Sequence, residues 1–272
     1  MNNIFLIILD SCRYDSFIKA RTPNFDRIAK VQKRYSYASW TSPSHFTFLM
    51  GLLPHSSQKN IFASTVYESE YRLWQKRIGI DTDIKFENLL PEFNLIKFLN
   101  GLGYRTFARV SLPVLNPQTT LSYYFYDYRL MDNHNSFSQI VESIVFYNDI
   151  PTFYLLNLGE THYPYMLDDP ELPHLSGLNG VLRKIDSSSE NSLNGSYLKP
   201  AVLKKLQKQQ IKAVSYCDAV FGELIEKCPS NTYFIVTSDH GELFGENGYF
   251  GHGPIMHEKV FEVPMIEGKI SK

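Results

Sequence analysis

Residues of the kind that bind metal ions follow two apolar segments at opposite ends of the chain. Asp10 comes directly after the apolar run 4–9, and Asp239 and His240 come shortly after the apolar run 233–237. Both runs have the length and composition of buried strands. The carboxyl ends of strands in an open α/β sheet are where such folds place their active sites. If the two runs pair in one sheet, the three side chains converge in a divalent-metal site, which indicates an enzyme.

Two carboxylates and one imidazole form a donor set with a defined preference. Such a set can hold Zn, Mn or a similar ion, and with further oxygen ligands it can hold Ca or Mg. Taken alone, an Asp after a strand is more often a helix cap, and an Asp-His dipeptide more often lies on the surface. The matching positions of Asp10, Asp239 and His240 favour the metal site over these alternatives. We therefore predict that the chain binds one or two divalent metal ions, either Zn, Mn or Ca.

A hydroxyl residue at a predicted helix start is the candidate nucleophile. Thr41 precedes Ser42-Pro43-Ser44, which is predicted to begin a helix that runs to about Leu52. A helix N-terminus attracts anions, and coordination to a divalent metal lowers the pKa of a hydroxyl group. We therefore expect Thr41 to be both a metal ligand and the nucleophile. The alternative is that Thr41 or Ser42 only caps this helix.

Further basic residues lie where loops would border the same site. His162 follows the strand predicted over residues 152–158, and His252 follows the Asp-His pair. Each could bind a second ion or transfer a proton, or could be an ordinary loop residue. Arg13 could neutralise an anionic substrate or form an ion pair with Asp15.

Composition excludes several classes of partner. The chain has 272 residues and a net charge of -1, so its charge gives no reason to expect nucleic acid or an anionic membrane as partner. The apolar N-terminal run is too short for a signal peptide or a membrane span. Three cysteines, Cys12, Cys217 and Cys228, are an odd number without zinc-type spacing, which favours a reducing compartment. We therefore predict a cytoplasmic protein with no nucleic-acid partner and no membrane insertion.

Strand and helix patterns alternate along the chain, which predicts the fold class α/β. The strands are apolar without alternation, so we expect a mostly parallel sheet with helices on both faces. The predicted strands are 4–9, 105–110, 152–158, 233–237 and 260–266, with a short extended piece at 36–41. The predicted helices are 22–30, 43–52, 92–102, 139–147 and 201–227. Residues 168–198 are rich in Asp, Pro, Ser, Asn and Gly, which predicts an irregular loop.

Together these motifs resemble the alkaline phosphatase superfamily, in its branch of sulfatases, phosphate-ester and phosphonate hydrolases, and phosphoethanolamine transferases. Residues 7–15 are similar to the first metal motif, and residues 41–45 lie over the sulfatase nucleophile motif. Residues 159–165 resemble the His-Pro loop, and residues 238–253 resemble the Ser-Asp-His-Gly-Glu block of the transferases. The resemblance implies an alkaline-phosphatase-like three-layer sandwich. It also implies one catalytic domain over residues 1–272 that lacks the C-terminal subdomain common in sulfatases.

Departures from the sulfatase pattern bear on the chemistry. Sulfatases have a Cys or Ser that is oxidised to formylglycine, whereas this chain has Thr41, which cannot form that aldehyde. His45 stands where sulfatases have an arginine, and Ser11 replaces a second metal-binding Asp. The resemblance therefore implies a metal-dependent hydrolase or transferase of a phosphoric ester, with a small anionic ester as substrate and a phospho-threonine intermediate.

The resemblance also implies roles for the remaining basic residues. His162 and His252 would be catalytic or bind a second ion, and Arg13 and His45 would contact the anion or support the site. Two alternatives stay open: hydrolysis of a sulfuric ester or phosphonate in the same site, or a non-catalytic protein that binds an anionic ligand.

Overall fold

A central sheet organises the protein, described here from a computed structural model that covers residues 1–56, 60–82, 84, 94–166, 181–183 and 199–270. Within these residues the sheet has seven strands, which are β1 (Asn3–Leu9), β2 (Gln32–Tyr35), β3 (Arg105–Val110), β4 (Asp127–Leu130), β5 (Thr152–Leu158), β7 (Thr232–Thr237) and β10 (Glu262–Lys269). Their order is β2-β10-β7-β1-β5-β3-β4. Only β10 runs against the others, being antiparallel to both β7 and β2. A small second sheet has the order β6-β9-β8 and consists of β6 (Val181–Arg183), β8 (Leu243–Phe244) and β9 (Tyr249–Gly251).

Helices cover both faces of the central sheet. In the described part of the chain they are α1 (Tyr14–Phe17), α2 (Thr41–Leu49), α3 (Ala63–Ile78), α4 (Leu95–Gly101), α5 (Phe137–Ser143), α6 (Pro200–Lys227) and α7 (Glu258–Phe261). None of these helices combines the length and the hydrophobicity needed to cross a bilayer.

Strand β1 shows why the sheet is enclosed on both sides. Ile4, Leu6 and Ile8 belong to the core shared with α2, α3 and α4. The alternate residues Phe5, Ile7 and Leu9 belong to the core shared with α1, α5 and α6. Because successive side chains of a strand point to opposite faces, an uninterrupted apolar run requires a hydrophobic layer on each side. The predicted α/β class, with a mostly parallel sheet between two layers of helices, is confirmed.

Two predicted elements near the N-terminus are wrong. The helix predicted over residues 22–30 is reduced to a single 3-10 turn, Phe25–Arg27. The reason is tertiary, because the carboxylate of Asp218 accepts the backbone N–H groups of Asn24 at 3.0 Å and Phe25 at 2.8 Å. The extended piece predicted over residues 36–41 is not a strand, since the strand lies earlier, at β2.

Other boundaries shift by a few residues. The helix predicted to reach about Leu52 ends at Leu49, and the helix predicted over 139–147 is Phe137–Ser143. Residues 92 and 93 of the predicted helix 92–102 lie outside the described residues, as does most of the loop predicted over 168–198. The described part of that loop, Val181–Arg183, is a strand rather than irregular structure.

The register of β1 brings three loops to one edge of the sheet. Ile8 pairs with Thr237 of β7, and Leu9 pairs with Leu158 of β5. The pairing with β5 continues past the end of the strand, since the N–H of Asp10 donates to the carbonyl of Leu158 at 3.1 Å. The segments that follow these three neighbouring parallel strands therefore meet at the same place, which is where the predicted site residues lie.

A buried carboxyl group links one of these loops to α5. Glu160 is fully buried, and its Oε1 accepts the N–H of Phe137, the first residue of α5, at 2.7 Å. Burial raises the pKa of Glu160 to about 7 from its ordinary value of 4.5, although the backbone N–H groups partly oppose the rise. As the pH rises, the unfolded chain therefore releases this proton before the folded chain does, and the fold loses stability through this group between the two pKa values.

We expect Glu160→Gln to remove this loss. The amide oxygen of Gln can still accept the N–H of Phe137, but the side chain carries no charge. The free energy of unfolding, measured by urea denaturation, should match the wild type near pH ~4 and exceed it by about 1–3 kcal/mol near pH ~8. A difference that does not change with pH would contradict this explanation.

Candidate active site

The three predicted metal ligands converge at the edge of the sheet where β1 and β7 end. Asp10, Asp239 and His240 are each fully buried, and one ligand atom from each lies within 4.8 Å of the others. His240 Nε2 lies 3.3 Å from Asp239 Oδ2 and 4.0 Å from Asp10 Oδ1. The cluster follows from the β1–β7 register, which places the residues after Leu9 beside those after Thr237.

Hydrogen bonds hold the two carboxylates in place. Asp10 Oδ2 accepts the side-chain amide of Asn157 at 2.8 Å, and Asp239 Oδ1 accepts the backbone N–H of Ser11 at 3.1 Å. The carbonyl of Asp239 accepts the hydroxyl groups of Ser36 and Ser44. These contacts orient both carboxylates before any ligand binds.

Local chemistry shows that the residues present fit a divalent cation. The Nδ1 of His240 faces the carbonyl of Gly241 at 2.9 Å and must donate there, which leaves the Nε2 lone pair for a ligand. Asp239 Oδ2 is buried, and no well-aligned hydrogen-bond donor among the described residues reaches it. A buried oxygen of this kind is normally satisfied by a hydrogen-bond donor, an ordered water or an ion. Two carboxylate oxygens and an imidazole nitrogen are a donor set of the zinc or manganese type.

Electrostatics lead to the same conclusion. Burial raises the pKa of Asp10 to about 7, and the charge of Asp239 adds to the rise. Burial alone would lower the pKa of His240, but the nearby charge of Asp239 raises it to about 9. In turn, the charge on His240 holds the pKa of Asp239 well below its ordinary range, against the effect of burial. The cluster therefore attracts positive charge, which a proton on His240 or a bound cation can supply.

Thr41 lies beside this cluster, at the first position of α2. Its Oγ1 is 3.3 Å from His240 Nε2. The N-cap of α2 is Trp40 rather than Thr41 or Ser42, and Trp40 makes no side-chain capping bond. The alternative that a hydroxyl residue merely caps the helix is therefore not what the structure shows. The hydroxyl of Thr41 faces the cluster at the positive end of the helix dipole.

One turn further along α2, His45 supports the same segment. Its Nδ1 lies 2.8 Å from the carbonyl of Thr41, so this nitrogen donates the bond. The Nε2 of His45 is buried without a hydrogen-bond partner among the described residues. Burial lowers the pKa of His45, which keeps the ring neutral.

Three further histidine rings form a row that begins at His240 of the cluster. The ring of His252 lies 4.2 Å from that of His240, and the ring of His162 lies 5.2 Å from that of His252. His134, for which the sequence predicted no role in the site, follows at 5.5 Å from His162. Burial, followed by the nearby His240, lowers the pKa of His252 to about 4. His252 therefore lies next to the cluster, and His162 lies one ring further along the row.

Arg13 is held by acidic side chains. Its guanidinium makes two bonds of 2.7 Å to the carboxylate of Asp15 and one of 2.6 Å to Glu246. It also donates to the carbonyl of Glu242 at 3.2 Å. Arg13 therefore ties the loop after β1 to the segment after β7, which is the ion-pair alternative considered from the sequence.

Sequence reasoning missed several residues that shape the site. Asn157 binds Asp10, and Gln210 of α6 donates to the carbonyls of Ser11 at 2.9 Å and Thr161 at 3.2 Å. Glu242 accepts from His252 Nδ1 at 2.9 Å. Asn157 carried a usable signal, because it is a polar residue in an otherwise apolar strand. Gln210 carried none, since it is one of several polar residues in a long helix.

Solved structures with the same fold include phosphoethanolamine transferase domains and sulfatases. The C-terminal periplasmic domain of the phosphoethanolamine transferase EptC from Campylobacter jejuni is 15% identical, with a TM-score of 0.56 over 98% of this chain and 79% of that chain. The corresponding EptC domain from Escherichia coli, solved as a complex with Zn, is 14% identical, with a TM-score of 0.51 over 100% of this chain and 73% of that chain. The 2-O GAG sulfatase BT1596 is 11% identical, with a TM-score of 0.57 over 99% of this chain and 65% of that chain. No curated protein sequence matches the chain.

These neighbours contradict the predicted cytoplasmic location, because two of the three are periplasmic domains. The prediction relied partly on the three cysteines. All three are buried and none of them forms a disulfide, and a buried thiol of this kind packs as a small apolar residue. Their number therefore does not indicate a compartment.

Sequence comparison at the level of families covers nearly the whole chain. The family model described as Sulfatase matches residues 2–267. This match agrees with the shared fold and with the order of the motifs along the chain. The chain therefore belongs to the sulfatase family, in the alkaline phosphatase superfamily that its motifs resemble.

Proposed function

We propose that the protein is a metal-dependent enzyme that cleaves or transfers a phosphoric ester, with Thr41 as nucleophile. The observation that carries this proposal is the position of Thr41 Oγ1, 3.3 Å from His240 Nε2 and beside the buried cluster of Asp10 and Asp239. A hydroxyl at this place, at the N-terminus of α2, lies at the positive end of the helix dipole.

Asp10, Asp239, His240 and Thr41 are the residues that would hold the ion. A bound divalent cation supplies positive charge that lowers the pKa of the Thr41 hydroxyl and offsets the charge of the phosphoryl oxygens. The Zn complex of the E. coli EptC domain supports zinc as the candidate ion, and the donor set supports zinc or manganese.

In the first step, Thr41 Oγ1 gives up its proton and attacks phosphorus in line with the leaving oxygen. A bond forms between Oγ1 and phosphorus while the bond from phosphorus to the leaving alcohol breaks. His252 is the residue we assign to accept the proton of Thr41, because its neutral ring lies against His240. His162, whose ring is next in the row, is the residue we assign to pass a proton to the leaving oxygen.

In the second step, the phospho-threonine is attacked by an acceptor. If the acceptor is water, the product is a free phosphate or phosphomonoester and the enzyme is a hydrolase. If the acceptor is an alcohol, the phosphoryl group moves to it and the enzyme is a transferase. Either way, the bond between Oγ1 and phosphorus breaks and Thr41 regains a proton.

Phosphoric esters are favoured over sulfuric esters by the nucleophile. As noted above, a threonine cannot become the formylglycine of sulfatases, whereas an alkoxide can attack phosphorus directly. The C. jejuni EptC domain, which is named as a phosphoethanolamine transferase, supports phosphoryl transfer. Both EptC domains are named as periplasmic, which supports a location outside the cytoplasm.

We expect Thr41→Ala to reduce turnover of p-nitrophenyl phosphate or bis-p-nitrophenyl phosphate by several orders of magnitude, because it removes the nucleophile. Thr41→Ser should keep part of the activity. Ser42→Ala is the matched control, since it removes the neighbouring hydroxyl of α2 and should act like the wild type. The turnover of the wild type and of the three variants is measured as release of p-nitrophenol.

Two outcomes would contradict the assignment. Full activity in Thr41→Ala would exclude Thr41 as nucleophile. Turnover of p-nitrophenyl sulfate with none of either phosphate ester would favour the sulfatase alternative, and absence of any turnover in a metal-loaded protein would favour a non-catalytic protein that binds anions.

Removal of the metal should destabilise the fold. Treatment with a chelator should lower the melting temperature by several degrees, because a ligand at 100 times its Kd contributes about 2.7 kcal/mol to stability. Added Zn or Mn should restore it. The matched variant is Asp239→Asn, which keeps the Oδ1 acceptor for Ser11 but loses the charge, and its melting temperature should respond weakly to both treatments. An equal response in the variant and the wild type would place the metal elsewhere.

A further inference from the structure

A buried carboxylate joins a tyrosine to one of the proposed catalytic histidines. Glu242 is 1% exposed, and its two oxygens have different partners. Oε1 lies 2.9 Å from Nδ1 of His252, and Oε2 accepts the hydroxyl of Tyr165 at 2.7 Å. All three residues are buried, so water does not compete effectively for these bonds.

We propose that Glu242, held by Tyr165, is a positioning residue that fixes His252 in the tautomer with its proton on Nδ1. This inference rests on the proposed function, since it concerns how one histidine of that site is prepared. A carboxylate can only accept hydrogen bonds, so the ring nitrogen facing it must carry the proton. The other nitrogen, Nε2, then presents a lone pair.

Tyr165 contributes by keeping Glu242 an acceptor. Because its hydroxyl donates to Oε2, that oxygen is occupied and the carboxylate cannot rotate without breaking a buried bond. Among the described residues, Ser11 Oγ also lies near His252 Nδ1, at 3.5 Å. It is a weaker competitor, since it donates to Asp10 Oδ1 at 3.1 Å.

The backbone around Tyr165 is held in an unusual conformation. Its φ angle is 65°, in the left-handed region that costs energy for a residue with a large side chain. Its ring packs in a small buried cluster with Tyr163, Leu203, Leu206 and Phe250. Because this cluster fixes the ring, the hydroxyl reaches Glu242 from a rigid support.

The segment that carries Glu242 is fixed from its other side. Arg13 donates to the carbonyl of Glu242 at 3.2 Å, and the N–H of Gly241 donates to Val260 at 2.6 Å. A side chain at Gly241 would come within 2.1 Å of the carbonyl of Lys259, so only glycine fits there. His252 is thus aligned by a carboxylate that has little freedom to move.

The consequence is specific to His252. With the proton on Nδ1, Nε2 can accept the proton of Thr41 or bind an ion. With the proton on Nε2, it can do neither. Tyr165 and Glu242 therefore act through His252, since they determine which ring nitrogen is available to the reaction.

The test is histidine tautomer assignment by long-range 1H–15N NMR on the full-length, 15N-labelled protein, with His252→Asn used to assign the signals. The wild type should show His252 protonated on Nδ1. Glu242→Ala should allow the Nε2–H form and lower kcat about 10- to 100-fold with a smaller effect on KM. Tyr165→Phe should act in the same direction, with a loss of about 3- to 10-fold.

Glu242→Gln is the conservative variant that tests rescue. Its amide oxygen can accept from Nδ1 while its amide nitrogen donates to Tyr165, so it should keep the wild-type tautomer. Tyr104→Phe is the matched control. It also removes a buried tyrosine hydroxyl, one that donates to Asn2 at 2.7 Å at the opposite end of the sheet. It should leave the His252 signal unchanged.

A wild-type His252 protonated on Nε2 would overturn the proposal without any variant. Persistence of the Nδ1–H form in Glu242→Ala would overturn the assignment to Glu242, and its persistence in Tyr165→Phe with unchanged kcat would overturn the assignment to Tyr165. The NMR result does not depend on turnover. A failure of the proposed ester chemistry, shown by full activity in Thr41→Ala, is therefore distinguishable from a failure of this inference.

Discussion

Two carboxylates held side by side in the interior, Asp10 and Asp239, are the constraint on which the rest of the site depends. The pairing of β1 with β7 fixes the positions of these two residues, because each follows its strand at the same edge of the sheet. Both are fully buried, and charged groups of one sign in a medium of low polarity repel strongly. Among the described residues, no lysine or arginine forms an ion pair with either, and His240 is the basic group nearest to them. The fold keeps them there by hydrogen bonds from Asn157, Ser11, Ser36 and Ser44 to the two residues, and leaves the positive charge to be supplied at the centre.

Other features of the site follow from this arrangement. Helix α2 begins beside the cluster, anchored by Ser44 on the carbonyl of Asp239, and so presents Thr41 to the same point from which a cation would act. Imidazole rings extend from His240, whose Nε2 lies 3.3 Å from the Thr41 hydroxyl, to His252 and His162. The charge of Arg13 is balanced by Asp15 and Glu246. Arg13 therefore holds the neighbouring loops together at this edge of the sheet. The resulting site has two carboxylates at its centre and histidine rings along its border.

Local signals in the sequence were sufficient for five of the seven described strands of the central sheet, all except β2 and β4, and for the convergence of Asp10, Asp239 and His240. An apolar run that is followed by an acid predicts a strand and also marks the carboxyl end of that strand. The prediction of β1 and β7 therefore located Asp10, Asp239 and His240 as well. Thr41 was predictable because a hydroxyl before a Pro-containing helix start is a local pattern. Residues whose roles arise from long-range contacts were not predictable in this way. Tyr165, Glu242 and His252 become one unit only after the chain folds, and the helix predicted over residues 22–30 gave way to hydrogen bonds from the distant Asp218.

Direct evidence for the central claim would be a covalent intermediate on Thr41. The enzyme, loaded with Zn or Mn, would be mixed with a phosphate ester that it turns over, quenched in acid and examined by peptide mass spectrometry. We predict a peptide containing Thr41 that is heavier by one phosphoryl group, and the absence of this modification from Thr41→Ala. Sustained turnover of the ester with no such modification at Thr41, under conditions where the intermediate should accumulate, would contradict it.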